Sequence, residues 1–295
     1  MRTTTLFSLG AVACLMAVLL PSCEERTGTH QEAPALDSNE VSTSGTLSLE
    51  GEIISVPSPT QMAILLEKAK IPFDAALLNP LQNKSVYVSE LRKAMALGVY
   101  GADLSYAGIY ESGQLNSDYL NVIGELASAL QIIDHVDPKL FSSLNNSVGN
   151  RDSLLRLSAT FYRAGDSYLE ESRRPDLAAL MLLGGWSEAL YISIKAGKGN
   201  ADVRARVGEQ KDAAASIERL VAKISDPSLK PVQNQLATLA EAFSGLRSVY
   251  TYQKPINDNK QKITYLRGKT TVEVTDQQLA SLDEAVTNLR NLIIR

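Results

Sequence analysis

Cysteine and histidine are both scarce in this chain of 295 residues, and each occurs only twice. Cys14 and Cys23 both fall among the first 23 residues, so a disulfide framework cannot support the remainder. His30 lies in a polar stretch and His135 in a predicted loop, which leaves no histidine pair for zinc and no Ser-His-Asp arrangement. The composition therefore argues against histidine-dependent metal sites and triad hydrolases.

Sequence motifs for binding zinc or nucleotides are also missing, and so is an excess of positive charge. The chain has no HExxH, no P-loop and no GxGxxG followed by a strand. Its formal net charge of −4 does not suggest nucleic acid as a partner, since nucleic-acid binding requires a basic face. Asp134, His135 and Asp137 could touch a divalent ion, but three neighbouring polar residues are more typical of a solvated turn. We therefore predict no metal site, no cofactor and no nucleic-acid partner.

The first 22 residues have the organisation of a secretory signal peptide. Arg2 precedes an apolar run over 6–20, and the small residue Ser22 stands at the predicted cut. The run is shorter than the ~20 residues that a membrane-spanning helix needs. We predict cleavage after Ser22, with a retained membrane anchor as the alternative.

The segment Leu20-Pro21-Ser22-Cys23 resembles the lipobox of a bacterial lipoprotein precursor. The resemblance implies that the Cys23 sulfur carries a diacylglycerol and that acyl chains such as palmitate hold the protein on a membrane. Each buried CH₂ contributes ~0.8 kcal/mol, and several chains together anchor firmly. The alternative is an ordinary signal peptide with a cysteine beside the cut by chance.

Residues 23–57 are predicted to form the lipidated cysteine and a flexible tether, since 24–57 are rich in polar residues and poor in apolar ones. Glu24 and Glu25 resemble the acidic sorting signals of surface lipoproteins in Gram-negative bacteria. We expect a lipid-anchored protein of the cell envelope, at the outer membrane, on either its periplasmic face or the cell surface.

Residues 58–295 are predicted to form a single helical domain. The fold class expected is all-α, an irregular multi-helix bundle with one small β-hairpin near the C-terminus. Ser58, Asp137, Asn150, Asn200, Asp226 and Thr275 are predicted N-caps. The predicted helices cover 60–70, 88–112, 117–133, 138–147, 151–172, 175–196, 201–224, 228–253 and 276–295. The hairpin is predicted over 263–275, where β-branched residues flank Arg267-Gly268-Lys269.

Small residues form a stripe along the helix predicted over 88–112. Its members recur every three or four residues: Ala94, Gly98, Gly101, Ser105, Gly108 and Ser112. A second small stripe occurs on the helix over 175–196, at Ala178, Gly185, Ala189 and Ala196. Interior glycines each cost up to ~1 kcal/mol relative to alanine, which a close helix approach would offset. We predict that these two helices pack tightly together.

A polar aromatic face lies opposite the first stripe. Tyr100, Asp103, Tyr106 and Tyr110 span about a third of the helix circumference. This face and Trp186 are candidates for ligand binding. The favoured interpretation is core packing, with the tyrosine hydroxyls bonded to backbone carbonyls.

Glu188 is the one charged residue between Leu177 and Ile194, so it is predicted to be a buried carboxylate. Such a group must be paired, hydrogen-bonded or protonated. The favoured interpretation is a salt bridge to Arg151, Arg156 or Arg163. The alternative is an envelope enzyme that cleaves peptidoglycan or another glycan with a lone acid. Glu188 or Glu111 would then be the catalytic residue.

Three segments resemble a group of uncharacterised all-helical lipoproteins from Gram-negative bacteria. They are Leu97-Gly98-Val99-Tyr100-Gly101-Ala102-Asp103-Leu104-Ser105-Tyr106-Ala107, Asn150-Arg151-Asp152-Ser153-Leu154-Leu155 and Gly184-Gly185-Trp186 with Glu188, Leu190 and Tyr191. The resemblance covers most of 88–196 and implies fold and location but no activity. We expect a noncatalytic binding or scaffold module, with an envelope protein or a small ligand as partner. An acid in an open cleft would favour the enzyme instead, and an acid buried against arginine the scaffold.

Overall fold

The computed structural model describes residues 44–49, 52–147, 149–258, 262–265 and 268–295. The predicted signal peptide over 1–22, the lipidation site Cys23, the sorting signal at Glu24 and Glu25, and His30 lie outside the described residues. The predictions made for them remain predictions.

Helices make up most of the described structure, which confirms the mostly-α fold class. Their bounds are α1 Pro59–Lys68, α2 Glu90–Ile109, α3 Gly113–Ala129, α4 Pro138–Asn145, α5 Arg151–Glu171, α6 Pro175–Gly197, α7 Ala201–Gly208, α8 Lys211–Ala222, α9 Lys230–Ser244 and α10 Asp276–Ile294. Short 3₁₀ turns lie at Ala75–Leu77, Leu81–Val86, Ile133–His135 and Pro227–Leu229.

The predicted N-caps account for five of the ten α-helix starts in the described residues. The Ser58 hydroxyl accepts a hydrogen bond from the Gln61 amide, and Asn150 and Asn200 accept equivalent bonds at α5 and α7. Thr275 forms a complete capping box with Gln278 at the start of α10. Asp137 caps α4, whereas Asp226 caps a 3₁₀ turn. Local side-chain chemistry therefore sets where these helices begin.

Two predicted helices end earlier than expected. The helix predicted over 201–224 is divided into α7 and α8 by Glu209 and Gln210. The prediction over 228–253 is wrong after Ser244, because the next residues form a strand. Valine, threonine and two tyrosines in 248–252 favour extended backbone over helix.

Six short strands form three antiparallel pairs in the described residues. They are β1 Ser44–Leu49, β2 Glu52–Pro57, β3 Arg247–Thr251, β4 Ile256–Asp258, β5 Ile263–Tyr265 and β6 Lys269–Glu273. A strand pair near the C-terminus was predicted, but the predicted partners are wrong. β5 pairs with β4 and β6 pairs with β3, so β4 and β5 are nested within the outer pair.

The N-terminal strands alter the predicted boundary of the tether. β1 and β2 pair along their whole length, and β2 packs against α8. Val56 is buried in the main hydrophobic cluster. Folded structure therefore begins within the stretch expected to be a flexible tether, and only 24–43 and 50–51 of it lie outside the described residues.

The predicted contact between the two small-residue helices is present, and it forms the centre of the core. A Cβ at Gly98 of α2 would overlap the Met181 carbonyl oxygen of α6. Reciprocally, a Cβ at Gly184 would overlap the Met95 carbonyl oxygen. Both positions bring backbone against backbone, which only glycine permits. Every residue of α2 from Ala94 to Ile109 is buried.

The stripe on α2 serves two neighbours and not one. Gly101 faces the Tyr162 hydroxyl of α5, and a Cβ at Gly108 would lie 3.0 Å from the Leu154 side chain. Tyr162 donates a hydrogen bond of 3.1 Å to the Leu97 carbonyl across this contact. The glycines of α2 thus admit α6 on one side and α5 on the other.

Helix α6 is long and apolar enough to span a membrane by length and composition. Within the protein, 89% of its most apolar window is buried. The burial of α6 therefore agrees with the prediction that it is a central core helix.

A candidate functional site in the buried polar cluster

Glu188 lies at the centre of the protein and is fully buried. Arg290 of α10 donates two hydrogen bonds to it, from Nε to Oε2 and from Nη2 to Oε1, both 2.7 Å long. The same guanidinium donates to the Leu77 carbonyl at 3.0 Å and lies 4.2 Å from the centre of the Tyr191 ring. Bidentate pairing and the aromatic contact hold the arginine in one position.

The predicted salt bridge exists, but its predicted partners were wrong. Arg151 instead lies beside Glu67, with Nη2 and Oε2 3.4 Å apart, and Arg163 donates to the Thr160 hydroxyl. Both arginines are on α5, close to α6 in sequence, whereas Arg290 is 102 residues from Glu188. Arg290 is the only basic residue of α10. Arg290 lies four residues after Val286 and three before Ile293, so it falls on the apolar side of α10. A basic residue at that position is a signal that could have identified the partner of Glu188.

Asp103 is the second carboxyl group in this cluster and is also fully buried. Its Oδ2 accepts a hydrogen bond of 3.2 Å from the Asn79 amide. Burial raises the pKa of Asp103 well above its ordinary value, and the Glu188 carboxylate raises it further. Burial also raises the pKa of Glu188, but the two Arg290 hydrogen bonds oppose that rise.

One shared proton explains how two carboxyl groups tolerate the same buried site. As a carboxylate, Asp103 has no donor for its Oδ1 atom. A proton on Asp103 removes its charge, which burial and the neighbouring Glu188 carboxylate both disfavour. We therefore assign the proton to Asp103 and the negative charge to Glu188, which Arg290 neutralises. The cluster then carries no net charge.

Tyrosines and Asn79 close this cluster. The Asn79 side chain donates to the Tyr87 hydroxyl at 3.0 Å, and Tyr119 donates to the Asn79 carbonyl at 2.8 Å. Tyr100 donates to the Pro80 carbonyl at 3.0 Å, and Tyr87 to the Ile294 carbonyl. Burial raises the pKa of both Tyr100 and Tyr119. The hydroxyls therefore stay neutral and act as structural donors.

The remaining members of the aromatic face lie under residues 71–74. The Tyr110 hydroxyl donates to the Ile71 carbonyl at 2.6 Å, and the Tyr106 hydroxyl accepts from the Asp74 amide at 3.1 Å. The Phe73 ring lies 5.0 Å from that of Tyr106 and 5.5 Å from that of Tyr110. These contacts match the favoured interpretation, in which the face packs and its hydroxyls meet backbone groups.

The other candidate residues lie apart from Glu188. Trp186 is buried, and its indole donates to the Gln210 side chain at 3.2 Å. Glu111 lies in the exposed turn after α2, with φ of 57°. Glu188, in contrast, is fully buried within α6. The two candidate acids therefore do not share a cleft.

The described residues contain no group of three or more histidine, cysteine, aspartate or glutamate side chains suited to a metal ion. The His135 ring stacks on Tyr168 at 3.9 Å between centroids. Asp137 accepts from the Lys139 amide as a helix cap. Both side chains have structural roles in this turn.

Two surface cavities lie near the junction of α6, α7 and α10. The larger, of about 450 Å³, contains Lys195, Lys198, Arg204, Asp276 and Asp283. These charges pair with one another: Asp283 contacts both lysines at 2.6 and 3.1 Å, and Arg204 contacts Asp276 at 2.6 Å. The second cavity shares Arg204 and reaches β6. Glu188 lines neither cavity.

No protein-family model matches this chain, and comparisons with curated proteins and solved structures found no match either.

Proposed function

We propose that this protein is a noncatalytic helical module of the bacterial cell envelope, held on a membrane by acyl chains at Cys23. Its partner is an envelope protein or a small ligand. The signal peptide and lipobox support the location, and the buried polar cluster supports the noncatalytic role. The resemblance to helical lipoproteins of Gram-negative bacteria is consistent with the outer membrane.

The pairing of Glu188 with Arg290 is the observation that carries the noncatalytic part. A general acid must reach the leaving group of its substrate within hydrogen-bond distance. Both Glu188 oxygens are already occupied by Arg290, and the side chain is fully buried. Asp103 approaches it from α2 and also has no exposure. The arrangement stabilises the helix packing and offers no path to a glycan.

The anchor is tested by expressing the full chain beside its Cys23→Ser variant in a Gram-negative host with radiolabelled palmitate. We expect label in the membrane-associated wild-type protein and none in the variant. Equal labelling of both proteins, or no labelling of either, contradicts lipidation at Cys23.

The noncatalytic role is tested with Glu188→Gln, which keeps the shape of the side chain. A thermal-shift screen against peptidoglycan fragments, glycans and envelope metabolites accompanies an assay for peptidoglycan cleavage. We expect the variant to melt earlier and to bind any ligand found for the wild type. Cleavage by the wild type that disappears in a stably folded Glu188→Gln protein would support the enzyme instead.

A further inference from the structure

A basic segment stands out against the acidic remainder of the chain. Residues 247–273, here called the C-terminal arm, contain six lysines and arginines and two acids, for a formal charge of +4. Since the whole chain carries −4, the remainder carries −8. The basic residues are Arg247, Lys254, Lys260, Lys262, Arg267 and Lys269.

The C-terminal arm also carries exposed apolar surface. Tyr250 is 64% exposed, Tyr252 69% and Ile263 43%. Only Val86 and Val88 join them as large exposed apolar side chains in the described part of the chain. Lys254 and Lys262 are exposed as well, and they lie close in sequence to Tyr252 and Ile263. Tyrosine with lysine is the composition found where proteins meet the headgroup region of a membrane.

Among the residues that the structure describes, no further element covers this surface of the arm. β3 and β6 form one two-stranded sheet, and β4 and β5 form another. A two-stranded sheet is marginal in water unless another surface supports it. One support is visible: a Cβ at Gly208 of α7 would lie 2.9 Å from Val274 and 3.1 Å from Val272. That contact secures the base of the arm and leaves Tyr252 and Lys254 outward.

The arm lies near the point where the chain arrives from the predicted anchor. β6 packs on α7, and β2 packs on α8, the next helix. α7 and α8 together span about 30 Å, which limits the separation of these two contacts. Twenty residues, 24–43, separate Cys23 from β1 in sequence, and twenty residues can span at most roughly 70 Å. A membrane that holds Cys23 is therefore within reach of the arm.

We propose that the C-terminal arm docks onto a bilayer surface that carries anionic phospholipid headgroups. Lys254 and Lys262 contact the headgroup charges, and the Tyr250 and Tyr252 rings enter the interfacial region. The inference rests on the proposed anchor at Cys23, which supplies the membrane. Docking at a second point restricts how the acidic helical domain is oriented above that membrane.

The test places a fluorescent reporter on the arm of the full-length protein. Gln253→Cys, which lies between Tyr252 and Lys254, is labelled with the polarity-sensitive dye NBD, and Ser143→Cys on α4 is the label control. Each protein is reconstituted into vesicles of phosphatidylcholine with or without phosphatidylglycerol. We expect a blue-shifted, brighter emission from position 253 only when phosphatidylglycerol is present, and no change at position 143.

Charge variants in the labelled protein sharpen the result. The double substitution Lys254→Gln with Lys262→Gln removes two positive charges from the arm. It should lower the ratio of docked to undocked arm about 25-fold, since each basic residue near an anionic surface contributes roughly fivefold. The control pair, Lys68→Gln with Lys139→Gln, removes the same number of charges from helices α1 and α4 and should leave docking intact. Tyr252→Ser should reduce the blue shift of the emission, while the requirement for phosphatidylglycerol persists.

Separate readouts distinguish failure of the anchor from failure of the arm. Intact mass and flotation with vesicles report acylation at Cys23, and a chain without acyl groups is still tested by adding the vesicles from outside. Equal emission with and without phosphatidylglycerol overturns the proposal. So does a response to a soluble polyanion such as heparin with none to the vesicles, which would identify a glycan-like partner.

Discussion

Helix α2 and the C-terminal arm place their polar side chains in opposite environments, one buried and one exposed. α2 buries Asp103, Tyr100 and Tyr106, its C-cap Tyr110 is half-buried, and each of these side chains has a partner from the chain. The arm leaves Tyr250 and Tyr252 exposed beside basic residues. Polar side chains near small residues on a helix became core here, whereas polar side chains on short strands became surface. The difference teaches that the available packing partner, and not polarity alone, decided burial.

The largest expected effect comes from forcing α2 and α6 apart. Gly98→Leu places a side chain against the Met181 carbonyl, where backbone must move. We expect a loss of more than about 5 kcal/mol in the free energy of unfolding, enough to prevent folding. Gly101→Leu should be milder, because Tyr162 can rotate away. Gly113→Leu, with open space at its Cβ, is the control. Thermal melts of all three variants that showed equal losses would break the distinction between backbone and side-chain contacts.

The next effect concerns the charge balance of the buried cluster. Arg290→Met leaves the Glu188 carboxylate without its cation, and we expect a loss of about 3 to 5 kcal/mol. Adding Glu188→Gln should restore part of this loss, because no buried charge then remains. Urea unfolding of the two single variants and the double variant measures this coupling. Strictly additive losses would mean that the pair does not act as a unit.

A smaller effect should appear as pH dependence on α5. Burial raises the pKa of Asp166 to about 7. Its folded form holds a proton that the unfolded chain releases above pH 4, so stability is lost as pH rises from about 4 to 7. Because the side chain is partly exposed, Asp166→Asn should recover only about 1 to 2 kcal/mol at pH 8. At pH 4 the variant should match the wild type. Thermal melts across this range would contradict the assignment if both proteins kept the same slope.

The smallest effect is expected in the C-terminal arm. Tyr252→Ala and Lys254→Gln remove side chains that are exposed, so each should change the free energy of unfolding by less than about 0.5 kcal/mol. A matched substitution in the core, Tyr100→Ala, should lose several times more because its ring is fully buried. Urea unfolding compares them. A large loss from either arm variant would show that the arm contributes to the core.

Sequence reasoning predicted what local chemistry determines. Ser58, Asn150 and Thr275 were identified as caps, because a cap and its helix are neighbours in sequence. The approach of Gly98 to α6 followed from the spacing of small residues. The candidate site was only half predictable. Glu188 was recognisable as a lone charge in an apolar helix, but its partner Arg290 came from a distant helix that no local pattern connects to it.

The strand partners were missed for the same physical reason. β3 meets β6 across 17 intervening residues. The nearest glycine turn, at Gly268, predicted a local hairpin. β-branched and aromatic residues predict that a segment is extended, but they do not specify which strand it joins. Val56 shows a related limit, because an apolar residue within the stretch interpreted as a tether gave little sign of entering the core.

The contact between Arg290 and Glu188 also bears on the order in which the chain can mature. Tyr87 reaches the Ile294 carbonyl across 207 residues, and Arg290 reaches the Leu77 carbonyl across 213. Such contacts carry a high loop-closure entropy and form late. During synthesis, the buried acid of α6 is therefore neutralised only after α10 has been made.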